Sequence, residues 1–139
     1  MSPAPQGSTK DARLVDLLKG CEQAFRRFGV RAVSMDDLAT QLGVSKKTLY
    51  RYFKDKADLV LQVFDQACNR QNSRTQTLSE GGNNAIDAVI EVMEYFQTEL
   101  REMHPSMLFD LQKYYPEAMR RLHQHKMEAM QGYLIRNIE

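Results

Sequence analysis

The sequence predicts an all-α fold, with a small helical domain at the front of the chain and a second helical domain behind it. Apolar residues recur every three or four positions along most of the 139 residues, which is the spacing of one face of an α-helix. No stretch shows the sustained apolar–polar alternation of a β-strand. Glycines and prolines interrupt the pattern at intervals, so we expect several packed helices and not one long helix.

The composition is that of an ordinary globular protein, with 42% hydrophobic and 27% charged residues. No apolar run is as long as a membrane span and no signal-peptide pattern opens the chain, so we expect a cytoplasmic protein with no membrane partner. Residues 1–75 hold 13 lysines and arginines against 8 acidic residues, and residues 76–139 hold 6 against 10. A basic front half is compatible with a polyanionic partner, but the excess is too small to predict one by itself.

Three helices are expected in the front domain. After a Pro/Gly/Ser-rich arm over residues 1–8, the first helix begins near Ser8 and ends at Gly29, where a glycine suits a left-handed C-terminal cap. Two short helices follow over about residues 34–42 and 45–52, each opened by a serine that can cap it. The first helix carries its apolar stripe on Leu14, Leu17, Leu18, Cys21, Phe25 and Phe28.

Further helices are expected in the rest of the chain. The fourth loses its apolar pattern in the polar run Asn69–Thr77, and Gly81–Asn84 is the clearest break. A helix follows from residue 85 to about 103, and Pro105 and Pro116 each fit the first position of a further helix. The fourth helix has Leu59, Val60, Val63, Phe64, Ala67 and Cys68 on one side, and the fifth has Ile86, Val89, Ile90, Met93, Phe96 and Leu100.

The two short helices and the turn between them, over residues 34–53, have the pattern of a helix-turn-helix. Gly43 supplies the positive φ that the turn needs, and Val44 supplies an apolar plug beneath it. On a helical wheel of about 100° per residue, Leu49 and Phe53 point to the same side of the second helix. That side is therefore expected to face the core.

The opposite side of the second helix has the chemistry of a groove-reading surface. Lys47 and Arg51 share this side, and Tyr50 and Tyr52 flank it. An arginine can donate two hydrogen bonds to a guanine edge, and lysine and tyrosine side chains can reach phosphate oxygens. A solvated helix with outward charges is the ordinary alternative for any single lysine. The whole set favours insertion into the major groove of double-stranded DNA.

Two helix N-termini are candidate phosphate sites. Lys54 and Lys56 bracket the start of the fourth helix, where a positive side chain and free backbone N–H groups come together. The helix that begins at Ser34 offers a second N-terminus. The DNA backbone would then be held on both sides of the groove.

The run from Ser34 to Lys56, SMDDLATQLGVSKKTLYRYFKDK, resembles the signature of the tetracycline-repressor (TetR) family. The resemblance extends back to Ala24, Phe25 and Gly29 and covers about residues 10–65. It implies a three-helix DNA-binding head and a fourth helix that links the head to a helical regulatory domain. It also implies a homodimer that represses transcription and leaves its operator when a small molecule binds.

The resemblance also assigns individual DNA contacts. Arg51 stands where the family is variable, so its role rests on the helical wheel alone, and Lys47 stands where many members have glycine or proline. The contacts that carry over are Lys46, Lys47, Tyr50, Tyr52 and Lys56, with Thr48 and Ser34 in support.

These features divide the chain into an arm (1–8), a helix-turn-helix domain (9–56), a linking helix (57–80) and a partial ligand-binding and dimerisation domain (81–139). The chain ends inside what resembles the family's seventh helix, so we expect the usual dimer interface to be incomplete here. The alternative function is a truncated interaction or dominant-negative module that acts through helix-bundle association. In that case apolar residues such as Met127, Met130 and Leu134 would be uncovered.

Residues 85–139 hold six of the eight methionines. One interpretation is an adaptable apolar pocket for a small hydrophobic inducer. Ordinary bundle core is the alternative, and helical spacing favours it for each residue taken singly. The residues assigned to the pocket are Met93, Phe96, Met107, Phe109, Tyr114 and Met127.

Other chemistries find little support in the sequence. Cys21 and Cys68 are far apart and are expected to be reduced core thiols, with redox sensing as the weaker alternative. His123 and His125 lie about 200° apart on a helix, so they do not form a metal pair. The sequence contains no nucleophile elbow, phosphate-binding glycine loop or zinc-protease motif, so neither an enzyme nor a cofactor is expected.

Overall fold

Helices account for nearly all of the computed structural model, which describes the backbone of residues 6–81 and 84–138. No strand occurs in these two segments, and the all-α prediction is confirmed. Among the described helices, none combines the length and apolar character that crossing a membrane requires. The helices are α1 (Gln6–Phe28), α2 (Met35–Leu42), α3 (Lys46–Tyr52), α4 (Lys56–Gly81), α5 (Ala85–Glu102), α6 (Met107–Tyr114) and α7 (Pro116–Ile138).

The helix boundaries follow the caps that the sequence offers. The hydroxyl of Ser34 accepts a hydrogen bond from the third residue of α2, and Gly43 ends that helix with a φ of 69°. The first helix begins at Gln6, two residues before the expected start. Pro116 is the first residue of α7, as predicted, whereas α6 begins two residues after Pro105.

The apolar pattern of α4 is lost in the polar run Asn69–Thr77, but the helix continues through it to Gly81. The loss of apolar spacing there marks a polar tertiary contact and not the end of a helix. Arg70 binds a carboxylate of α1, Gln71 binds one of α5, and Asn72 lies 3.5 Å from a histidine ring of α7.

The buried core is built mainly on α1 and α4. Every member of the apolar stripe predicted for α4 is buried, and the rings of Phe25 and Phe64 stack with their centroids 6.5 Å apart. Met107 and Leu111 of α6 and Leu122 of α7 join the same cluster. Since a fully buried apolar side chain of this size contributes about 1.5–3 kcal/mol, the front and back helices are held together by one core.

The stripe predicted for α5 does not form a buried core. Ile86 is 72% exposed and Met93 is 57% exposed, and Val89, Ile90 and Leu100 are also exposed. Of the described α5 side chains, Ala88 is buried. The apolar residues of this helix face solvent or line a cavity. Helical periodicity alone does not distinguish such residues from residues of a buried core.

Two glycines offer a matched test of backbone constraint. Both have positive φ, 87° at Gly29 and 69° at Gly43. A Cβ on Gly29 would lie 2.5 Å from Ser106 Oγ, whereas a Cβ on Gly43 would meet nothing within 4 Å.

We therefore expect Gly43→Ala to lower the free energy of unfolding by about 1–2 kcal/mol, the usual cost of a left-handed non-glycine residue. Gly29→Ala should cost about 1 kcal/mol more, because Ser106 must also move. Urea denaturation of both variants measures the difference. Equal losses in the two variants would contradict the close packing of Gly29 against α6.

Candidate nucleic-acid interface

The second helix of the helix-turn-helix, α3, is fixed by its inward side. Leu49 and Phe53 are 0% and 1% exposed, as the helical wheel predicts. The other side faces solvent: Lys46, Lys47 and Arg51 are exposed, and Tyr50 is 46% exposed. These four side chains form a surface of three cations and one phenol, which we call the α3 face.

The cations of the α3 face are free to engage a polyanion. Lys46 Nζ lies 3.2 Å from Asp36 Oδ1, but both side chains are more than half exposed, so solvent screens this pair. Within the described part of the chain, no ion pair engages Lys47 or Arg51. Major-groove readout needs unengaged donors of this kind.

Three of the predicted contact residues are partly used inside the protein. The hydroxyl of Thr48 lies 2.9 Å from Ser45 Oγ, within the cap of α3. Tyr52 is half-buried against the core, with its ring centroid 6.4 Å from that of Phe53. It is therefore less accessible to a partner of the α3 face than Tyr50 is. Ser34 is engaged as well, as described next.

The N-terminus of α2 is closed by a reciprocal cap. Ser34 Oγ accepts from the Asp37 N–H at 3.1 Å, and Asp37 Oδ2 accepts from the Ser34 N–H at 2.9 Å. The Ser34 backbone hydrogen bond is the main cause of the lowered pKa of Asp37, so this carboxylate stays charged beside the helix end. The predicted phosphate site at Ser34 thus already holds an anion.

Lys56 does not point outward as a phosphate ligand. Its Nζ donates to the carbonyl oxygen of Val30 at 2.8 Å and lies 5.9 Å from the centroid of the Tyr115 ring. Burial lowers the pKa of Lys56, and the charges of Asp110 and Asp37 oppose that shift. The sequence assigned this lysine to DNA from its place at the start of a helix and from the family resemblance, whereas in the structure its amine binds the chain between α1 and α2.

The same chain segment is held from its other side by Asp110 of α6. Asp110 is 6% exposed, and its Oδ2 accepts from the backbone N–H groups of Val30 and Arg31, each at 3.1 Å. Lys56 therefore donates to the carbonyl of Val30, and Asp110 accepts from the amides of Val30 and Arg31 in the same turn. We call this arrangement the turn clamp; its residues are Val30, Arg31, Lys56 and Asp110.

The turn clamp joins the helix-turn-helix to the helices behind it in the chain. Arg31 adds a further contact, because its guanidinium lies 4.7 Å from the centroid of the Tyr114 ring. The turn leads directly into α2, so α6 and α4 together set the orientation of the helix-turn-helix. Sequence reasoning missed Asp110, since no local pattern links it to a turn about 80 residues earlier in the chain.

A cavity of about 490 Å³ lies between α1, α4, α5, α6 and α7. Met93, Phe96 and Met107 line it, as the sequence assignment proposed. The assignment of Phe109, Tyr114 and Met127 to the same pocket needs correction. Phe109 and Met127 are 60% and 57% exposed, and Tyr114 belongs to the junction with Arg31 and to a second, smaller cavity.

Both cysteines are buried thiols. Burial raises the pKa of Cys21 to about 12, and burial together with the charge of Asp65 raises that of Cys68 to about 11. Oxidation requires thiolate and access. The placement of the two side chains therefore agrees with the core interpretation.

In the described part of the chain, no three His, Cys, Asp or Glu side chains converge on a metal-sized site.

Comparison with known proteins gives matches over the front of the chain. A family model for bacterial regulatory proteins of the tetR family matches residues 17–63. An uncharacterised HTH-type transcriptional regulator of Mycobacterium tuberculosis is 50% identical over 54 residues, 39% of this chain and 23% of that protein. The regulator EthR of the same species is 33% identical over 70 residues, 50% of this chain and 32% of EthR. The match thus spans no more than a third of these relatives.

Solved structures resemble the chain over a longer stretch. A transcriptional regulator of the TetR/AcrR family from Thermobifida fusca superposes with a TM-score of 0.62 at 23% identity, covering 86% of this chain and 65% of that one. A TetR-family regulator from Bordetella parapertussis gives the same score at 19% identity, covering 88% and 67%. At these identities the likeness concerns the fold.

The turn clamp is open to a direct stability test. Asp110→Ala leaves the N–H groups of Val30 and Arg31 without their acceptor, and we expect a loss of about 2–4 kcal/mol in the free energy of unfolding. Glu91→Ala, which removes an exposed carboxylate from α5, should change it by less than about 0.5 kcal/mol. Chemical denaturation of both variants distinguishes the two cases. A loss at Asp110 as small as that of the control would rule out the clamp.

Proposed function

We propose that the chain, whose residues 17–63 match the family model for bacterial regulatory proteins of the tetR family, is a sequence-specific DNA-binding transcriptional regulator of that family. The observation that carries the proposal is the α3 face. Three cations and a phenol stand on the solvent side of a helix whose other side is locked into the core. A helix presented in this way fits the major groove.

We propose a division of the DNA contacts that follows the exposure of the side chains. Arg51 and Lys47 read base edges, and Lys46 and Tyr50 reach base edges or nearby phosphates. Lys54, which is exposed two residues before the first residue of α4, replaces Lys56 as the phosphate ligand. The remaining predicted residues stabilise the helix ends and the core beneath the interface: Ser34, Thr48, Tyr52 and Lys56.

We further propose that the functional form is a homodimer, because two copies of α3 would read two half-sites about one turn of DNA apart.

We also propose that the protein represses transcription and that a small molecule bound in the 490 Å³ cavity relieves the repression. The size of the cavity lies within the range of small-molecule sites. Glu22 and Arg26 of α1 line it, so an occupant would touch the helix that leads into the turn clamp.

A second candidate is an association module, and the outward apolar residues of α5 favour it. Ile86 and Ile90 are 72% and 48% exposed on the same helix, and exposed apolar patches mark interaction sites. Light scattering of the purified chain at increasing concentration tests this. A monomer at all concentrations would exclude self-association, and a dimer would agree with both candidates.

The DNA proposal predicts different effects for base-reading and phosphate-binding residues. After a bound sequence is selected from a random pool, Arg51→Ala should cost about 1–3 kcal/mol on that sequence and relax preference at one base pair. Lys54→Ala should weaken binding to all sequences and reduce the slope of log K against log salt by about 1. Fluorescence anisotropy over a salt series measures both quantities.

Arg101→Ala is the matched control, since it removes an exposed cation from α5. It should leave affinity, base preference and salt slope unchanged. If Arg51→Ala retains full preference, or if all three variants weaken binding equally, the assignment of the α3 face is incorrect.

A further inference from the structure

The cavity described above has a strongly polar group of residues in its otherwise apolar wall. Most of its surface comes from aliphatic, aromatic and methionine side chains of α4, α5 and α7. Glu22 and Arg26 of α1, Gln71 of α4 and Glu99 of α5 interrupt that surface. Lys126 of α7 also lines the cavity, but its side chain is exposed to solvent.

Four charged side chains near the cavity form a continuous network, in which Glu22 is buried, Arg26 and Glu99 are half-buried and Arg70 is exposed. Arg26 Nε donates to Glu22 Oε1 at 3.1 Å, and Arg26 Nη2 donates to Glu99 Oε2 at 2.5 Å. Arg70 Nη1 donates to Glu22 Oε2 at 2.9 Å, and Arg70 Nη2 donates to Glu22 Oε1 at 2.6 Å. Gln71 Nε2 adds a bond to Glu99 Oε2 at 3.2 Å. We call this the Arg26–Glu99 network.

The network is electrically balanced, with two guanidinium groups against two carboxylates. Burial disfavours the charged form of Glu99, but hydrogen bonding and attraction to Arg26 outweigh it, so the pKa of Glu99 is lowered. Burial alone would lower the pKa of Arg26, but the carboxylates of Glu99 and Glu22 raise it above its ordinary value. The pKa shifts of Arg26, Arg70 and Glu99 all favour the charged form, so these three groups stay ionised at neutral pH.

Electrical balance disfavours a charged occupant. An anionic head group would lie against Glu22 and Glu99, and a cationic one against Arg26 and Arg70, each losing its hydration in a half-buried site. Lys126 offers little compensation, because an exposed ammonium interacts with a partner through high-dielectric solvent. An uncharged head group avoids both penalties.

Hydrogen-bonding capacity remains for such a head group. Among the described residues, no hydrogen bond reaches Glu99 Oε1, and none leaves Arg26 Nη1. Two residues that line the cavity thus keep one acceptor and one donor without a hydrogen bond to the described part of the chain. An alcohol or a primary amide can use both, because each carries a donor and an acceptor.

We propose that the cavity binds an uncharged, largely apolar molecule whose alcohol or amide group pairs with Arg26 and Glu99. The statement that this molecule relieves repression rests on the proposed function. The statement that it binds in the cavity does not. Arg26 lies three residues before Gly29, so the occupant would contact the end of α1 that enters the turn clamp.

A series of probes with one ten-carbon chain and different head groups tests the proposal. Decan-1-ol, decanamide, decanoate and decylammonium are titrated with the full chain by calorimetry at pH 7, without DNA. The alcohol and the amide are kept below their solubility limits, and the two ions below their micellar concentrations. The alcohol and the amide should bind at least about tenfold more tightly than either ion. Equal or tighter binding of decanoate or decylammonium, or no binding by any probe, would overturn the proposal.

Charge variants make the test independent of the general preference of uncharged molecules for apolar surfaces. Glu99→Gln gives the network an excess positive charge and should move selectivity towards decanoate by about tenfold. Arg26→Gln should move it towards decylammonium by a similar factor. Glu102→Gln, which removes the same charge from an exposed position on α5, should leave selectivity unchanged.

Two further controls separate the possible failures. Val92→Trp places a large side chain on the cavity wall and should abolish probe binding, with folding checked by helical circular dichroism; retained binding would contradict the site. If decan-1-ol binds with the expected selectivity but does not release operator DNA, the release mechanism fails and the inference stands. If selectivity is unmoved in both charge variants, the inference fails whatever the DNA result.

Discussion

The carboxylate of Asp110 accepts hydrogen bonds from two consecutive backbone amides, those of Val30 and Arg31. The position of the helix-turn-helix depends on these bonds. The amides lie in the turn between α1 and α2, where no helical partner is available to them. Buried amides without an acceptor cost free energy, so the turn adopts the conformation that reaches Asp110. Lys56 binds the carbonyl of Val30 from the other side. The turn is thereby fixed by two helices that do not belong to the helix-turn-helix.

This constraint explains why the α3 face is presented as a rigid surface. The inward residues of α3 are locked into a core that α1 and α4 share, and the turn clamp fixes the start of α2. A recognition helix on a rigid support loses little conformational freedom when it binds. The Arg26–Glu99 network links the same α1 helix to α4 and α5 beside the cavity. One helix therefore connects the proposed ligand site with the proposed DNA site.

Much of the fold followed from local sequence patterns. The caps at Ser34 and Gly43, the core stripe of α4 and the inward and outward sides of α3 depend on residues within a few positions of each other. Residues whose roles depend on distant partners were not predictable in this way. Lys56 has the local setting of a phosphate ligand, and the structure places its amine against Val30. The polar run in α4 has the local setting of a fraying end, yet Arg70 binds Glu22 there.

Native-state hydrogen exchange at individual amides tests the role of the turn clamp most directly. If the clamp holds the turn, the amides of Val30 and Arg31 exchange only through openings nearly as costly as those that expose the buried turns of α1 and α4. In Asp110→Asn, which keeps the size of the side chain and removes its charge, their protection falls while that of α4 is retained. Exchange of both amides at the rate of an exposed loop in the wild-type protein would contradict the account.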